Sequence, residues 1–185
     1  VPSERKANRG PSAGPENRRA LIAAARTVFA EDGLSAPLSA VARRAGVGQG
    51  SLYRHFPDRV ALAVAVFDEN IVELEAVAEA EGSTLDDLLT LVVEQAIVST
   101  AFVDLLVAER GDPRVEHIGA RFREVAETVT DNERRAGRIS STVATDDVIL
   151  AVEMLAGLLA RTPAAERPAA AARARALLRS AFASR

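Results

Sequence analysis

The stretch that decides the fold runs Leu38-Ser39-Ala40-Val41-Ala42-Arg43-Arg44-Ala45-Gly46-Val47-Gly48-Gln49-Gly50-Ser51-Leu52-Tyr53-Arg54-His55-Phe56. Two short helices joined by a tight turn need small residues where they cross, and Ala42 and Ala45 supply them. The turn needs a residue that tolerates left-handed backbone, which is the role read for Gly46. Val41, Val47 and Leu52 are the apolar side chains expected to hold helix to helix. A second helix of this kind enters the DNA major groove by its N-terminal end, where Gly48, Gln49, Gly50 and Ser51 lie. The free N–H groups and the dipole of that end also favour a nearby phosphate.

On the N-terminal side, Leu21 and Val28 are one heptad apart, as are Ile22 and Phe29, with Ala25 between them. This apolar stripe predicts a helix from Glu16 to about Glu31, ended by Asp32-Gly33. Residues 1–15, with Pro2, Gly10, Pro11, Gly14 and Pro15 among scattered basic residues, are expected to form a flexible basic arm. The first short helix is read as Pro37 to about Ala45, and the second as starting near Gly48 and reaching about His55.

On the C-terminal side, Asp58 reads as the N-cap of a long helix from Arg59 to about Glu79. Ser83 or Thr84 caps the next, with Asp87 in capping-box spacing after Thr84, and it is expected to reach about Val98. A shorter helix is expected from about Ala101 to Gly111. Asp112-Pro113 starts another that reaches about Ala136 and stops at Gly137. Thr145 is read as the cap of a helix through Leu159, and Pro163 and Pro168 punctuate before a last one to about Phe182. The pattern is all-α, about nine helices with no strand.

Composition narrows the chemistry. The chain of 185 residues has no Cys or Trp, seven aromatics and two histidines. Thiol catalysis, disulfides and Cys-ligated metals are thereby removed. Residues 1–60 carry ten Arg and Lys against five acids, whereas the remainder carries thirteen against twenty-one. A basic first third on an acidic body points to a local polyanion contact. The most apolar run, Val148 to Ala160, is interrupted by Glu153 and is too short for a bilayer, which needs about 20 residues. No signal-peptide core is found in the first twenty residues, so a cytoplasmic, nucleoid-associated protein without membrane contact is expected. Gly46-Val-Gly48-Gln-Gly50 lacks both the strand and the third glycine of a dinucleotide fingerprint, and no P-loop, HExxH or GxSxG is present. Neither enzyme nor cofactor is expected.

Arg19-Ala-Leu-Ile22, Ala25, Phe29, Gly33, Val41-Ala42, Ala45-Gly46-Val47, Leu52-Tyr53-Arg-His55-Phe56 and Arg59 together resemble the DNA-binding domain of TetR-family transcriptional regulators. The resemblance covers about Arg18 to Leu62. It departs at Pro37 and Leu38, where the family more often has a Thr-rich helix start, and at Ser51, which replaces a commoner Thr but keeps the hydroxyl.

The resemblance implies a helix-turn-helix domain over residues 16–60 and a ligand-binding and dimerisation domain over 61–185. By position, Gln49 is the expected base reader, since its amide pairs with adenine N6 and N7. Ser51 reaches a base or phosphate. Gly48 and Gly50 let the backbone approach the groove. Tyr53 offers its hydroxyl to a phosphate, or packs half-buried against Val47 and Phe56. His55 lies beside the DNA backbone, and Arg44 and Arg59 attract phosphate or, for Arg44, remain a solvated helix charge.

The family dimerises through its last two long helices, which implies Leu150, Met154, Leu158, Leu177, Leu178 and Phe182 at a homodimer interface. Phe67, Val92, Gln95, Phe102, Leu106, His117 and Phe122 are candidates to line a pocket for a small apolar effector, and serve equally well as core. The function so implied is a ligand-responsive repressor that binds a palindromic operator in double-stranded DNA as a dimer. The alternative is a helical small-molecule-binding or protein-interaction module that does not bind DNA.

Overall fold

The computed structural model describes residues 13–95, 105, 108–109, 111–163 and 165–183. They form α1 (Ala13–Asp32), α2 (Leu38–Ala45), α3 (Gln49–His55), α4 (Arg59–Glu79), α5 (Leu85–Glu94), α6 (Pro113–Arg135), α7 (Thr145–Arg161) and α8 (Arg167–Phe182). Among the described residues there are eight helices and no strand, only an isolated bridge between Ile139 and Ala183. The helix expected over 101–111 lies largely outside the described residues, of which Leu105 and Ala108 are helical.

The chain punctuates itself mostly as its local chemistry dictates. Gly46 sits at φ 66°, and the Val47 N–H donates to the Ala42 carbonyl at 3.0 Å, so α2 closes in a Schellman turn. Asp58 accepts from the Ala61 N–H at 2.7 Å and caps α4. Thr84 and Asp87 exchange bonds as a full capping box on α5. Asp112 accepts from the Arg114 N–H at 2.9 Å, with Pro113 opening α6. The Arg114 side chain also grips Asp112 and holds its carboxyl down at about 2.

Four boundaries differ from the sequence expectation. α1 begins at Ala13 and takes in Gly14 and Pro15, because a proline in the first turn has no intrahelical bond to lose. α5 ends at Glu94 rather than near Val98, with Gln95 as its C-cap and 96–98 outside the described residues. The N-cap of α7 is Ala144, one residue before Thr145; Asp147 compensates by accepting the Ala144 N–H at 2.7 Å. Pro168 lies inside the first turn of α8 instead of before it.

Packing follows from these faces. α1 rests on α2, α3 and α4, burying Leu21, Ile22, Ala25, Val28 and Phe29 against Val41, Leu52 and Phe56. α4 runs from this head onto α6, while α5 lies against α4, α6, α7 and α8. The boundary expected between residues 60 and 61 lies within the first turn of α4.

Where α5 starts, the buried Glu133 of α6 accepts the Leu85 N–H at 3.2 Å and Arg138 Nε at 2.9 Å. Arg138 is itself well exposed, so losing the carboxylate strands a backbone donor rather than a buried cation. Glu133→Ala is expected to cost about 1–3 kcal/mol, read as a lowered midpoint in urea unfolding with an unchanged slope.

A candidate DNA-reading face on α3

α3 is anchored from below and open above. Leu52 and Phe56 are each 1% exposed, and the Arg18 guanidinium lies 5.0 Å above the Phe56 ring. The opposite face presents Gln49, Gly50, Tyr53 and Arg54 to solvent, with Ser51 and His55 half-buried. Tyr53 is 53% exposed, so about half of its side chain is open to solvent. Gly48 is the N-cap, with φ −66° and ψ 145°, and no side chain caps the first N–H groups of α3.

Nothing inside the chain demands glycine at positions 48 or 50. A Cβ at either one meets no atom within 4 Å, and neither has a positive φ. Gly50→Ala is therefore expected to leave the melting temperature unchanged or slightly raised, since alanine gains up to about 1 kcal/mol over glycine within a helix. The same variant is expected to weaken DNA binding several-fold by electrophoretic mobility shift, because the added methyl stands on the exposed face.

Two arginines have internal partners that the sequence did not reveal. Arg59 donates through Nη1 to the carbonyls of both Leu34 and Ala36, clamping the α1–α2 connection to the first turn of α4. Its Nη1 is thereby engaged by two backbone oxygens, so a phosphate contact has to use the other nitrogens of the half-buried guanidinium. Arg44 is exposed but paired with Glu31, its Nη1 at 2.6 Å from Oε2 and its Nη2 at 3.3 Å from Oε1. It is a solvated charge that already has a partner, and a phosphate has to compete with that carboxylate.

The pocket candidates differ in their surroundings. Phe67 and Val92 are buried in the core and Phe122 is half-buried beside it. The Gln95 amide donates to Glu73 at 2.6 Å on the exposed side of α4. His117 is exposed and lies close enough to Glu75 to help lower that carboxyl, after the larger effect of the Arg121 hydrogen bond. Phe102 and Leu106 lie outside the described residues.

The last two helices sort the apolar run cleanly. Val148, Ala151, Val152, Leu155, Ala156 and Leu159 point inward, whereas Leu150, Met154 and Leu158 are 53, 62 and 43% exposed. The run therefore has one buried and one exposed stripe and is not buried on all sides. On α8, Leu177 is 66% exposed while Leu178 and Phe182 are half-buried against the core. Of six large apolar or aromatic side chains exposed among the described residues, four lie on α7 and α8. Among those residues no helix is long and apolar enough to cross a membrane, and no group of three His, Asp or Glu is placed to hold a metal.

Residues 21–66 match the family model described as bacterial regulatory proteins, tetR family. An HTH-type transcriptional repressor of Mycobacterium tuberculosis is 31% identical over 159 residues, covering 82% of this chain and 84% of the relative. This chain belongs to the TetR family. The A-factor receptor protein of Streptomyces griseus shares 40% identity over 72 residues, 38% of this chain and 25% of that one. The crystal structure of a TetR transcriptional regulator from Streptomyces coelicolor superposes with a TM-score of 0.66 at 30% identity, over 90% of this chain and 98% of its own. As a TetR-family member the chain is a transcriptional regulator, and its all-helical architecture is that of the family.

Proposed function

We propose that the chain is a ligand-responsive repressor that reads a palindromic operator as a homodimer in the bacterial cytoplasm, its α3 lying in the major groove. The observation that carries this reading is the two-sided build of α3, with Leu52 and Phe56 locked into the head and Gln49 and Tyr53 free above it. Gln49, first residue of the helix, pairs with an adenine edge; Ser51, Tyr53 and His55 take the flanking bases and phosphates, and Gly48 and Gly50 admit the backbone to the groove. Arg44 exchanges Glu31 for a phosphate on binding.

Leu150, Met154 and Leu158, one turn apart on α7, form with Leu177 of α8 the face that meets a second copy. Leu178 and Phe182 support it from beneath. Two heads held about 34–36 Å apart then address successive major grooves. The similarity to a repressor over 82% of the chain supports repression. An apolar effector taken up by the body, near Phe67, Val92 and Phe122, shifts operator affinity by as much as it prefers one head spacing over another.

Selection of genomic fragments on the purified protein tests the reading. The expected result is enrichment of one inverted repeat with half-sites about 10 base pairs apart. Recovery of fragments with no shared sequence contradicts it.

A further inference from the structure

Two sets of ion pairs divide the molecule mechanically. Arg26 of α1 donates to Glu69 at 3.0 Å and to Asn70 at 2.9 Å, and Arg59 clamps the α1–α2 connection, so the head and α4 hold together as one piece. Beside its apolar packing on α6, that piece is joined to α6 by two arginines of α6, seven residues apart and so on nearly the same helical face. Arg121 pairs with Glu75 through two bonds of 2.7 Å and also reaches Asp68, and it is only 18% exposed. Arg114 reaches Asp58, at the head end of α4, through Nη1 at 3.1 Å from each carboxylate oxygen, with the two side chains 40 and 49% exposed.

The Arg114 pair is built to open. Its other nitrogens are held by Asp112, Nε at 3.0 Å and Nη2 at 2.7 Å, so release of Asp58 leaves no guanidinium stranded. Asp58 in turn still accepts the Ala61 N–H as the N-cap of α4. Both partners keep an occupation in either state, and the exposed pair is open to screening by salt. The Arg121 pair is shorter in its bonds and less exposed. We propose that the Arg114–Asp58 pair is a releasable latch that sets the angle between the head, with its α4 lever, and the body, so that Arg114 is a positioning residue for regulation. Its regulatory consequence rests on the reading above; the geometry it controls does not.

The chain contains no cysteine, so Ala23→Cys on the exposed face of α1 and Glu127→Cys on that of α6 accept spin labels at those two sites alone. The head-to-body distance distribution is then measured by double electron–electron resonance without DNA, in doubly labelled protein diluted into unlabelled chain. Arg114→Met and Asp58→Asn, the latter keeping a good N-cap, are each expected to widen the distribution about twofold. The double variant is expected to be no wider than either. Arg114→Lys and Asp112→Asn are expected to stay narrow. Raising NaCl from about 50 mM to about 1 M in the otherwise unsubstituted labelled protein should reproduce the widening, which covers the case of a variant that does not fold. Distributions for Arg114→Met and Asp58→Asn that superpose on the parent, an Asp112→Asn variant as wide as Arg114→Met, or salt indifference would each overturn the latch. None of these readings involves DNA, so they stand apart from any failure to find an operator.

Discussion

A Met154→Glu, Leu158→Glu double variant is expected to sediment as a monomer and to bind its operator at least about 100-fold more weakly than the parent chain. Both side chains lie on the exposed stripe of α7, 62 and 43% exposed, so the carboxylates cost the folded monomer little. In a dimer the same positions are desolvated, and two charges per copy face apolar partners across the axis. The loss of DNA affinity follows from linkage alone: two heads on one scaffold gain roughly 10²–10⁴ over separate ones, and severing them forfeits it. Sedimentation velocity at micromolar concentration and anisotropy titration of the operator read the two effects. A dimer that persists in the double variant moves the interface off α7.

Leu52→Ala is expected to melt the head while the body stands. Leu52 is 1% exposed and is the side chain through which α3 is held on α1 and α2. Truncation of such a leucine costs about 2–5 kcal/mol. Whole domains retain only about 5–15 kcal/mol, and a head in which α2 and α3 are eight and seven residues long sits at the low end. Hydrogen exchange is expected to show α2 and α3 amides losing protection first, with α6 and α7 amides protected as in the parent. Uniform loss along the chain would mean that head and body unfold as one unit.

Signals confined to neighbouring residues were legible in the sequence. Gly46 as the left-handed end of α2, Asp58 as a cap and the Thr84–Asp87 box depend on atoms within five residues, and the structure has each of them. The family followed from the same stretch. What the sequence could not supply lies in long-range geometry. The clamp from Arg59 to Leu34 and Ala36, the pairing of Arg44 with Glu31, the Arg114–Asp58 contact and the link from Arg175 to Asp86 at 2.5 Å join residues far apart in the chain. No local pattern marks which of many arginines meets which acid. The α7 run hid its orientation for a different reason: from Val148 to Leu159 nearly every position is apolar, so periodicity cannot tell the buried stripe from the exposed one. Gly14 and Pro15 misplaced the start of α1 because both are breakers in a helix interior and tolerated in its first turn.

The central claim is that α3 reads sequence through Gln49. Fluorescence anisotropy of the selected inverted repeat against a scrambled duplex, for the parent and Gln49→Ala across a salt series, tests it most directly. The parent is expected to prefer the repeat, affinity for both duplexes to fall steeply with salt, and Gln49→Ala to lose about 1–3 kcal/mol per half-site on the repeat alone. Equal losses on both duplexes, or none on either, would contradict it.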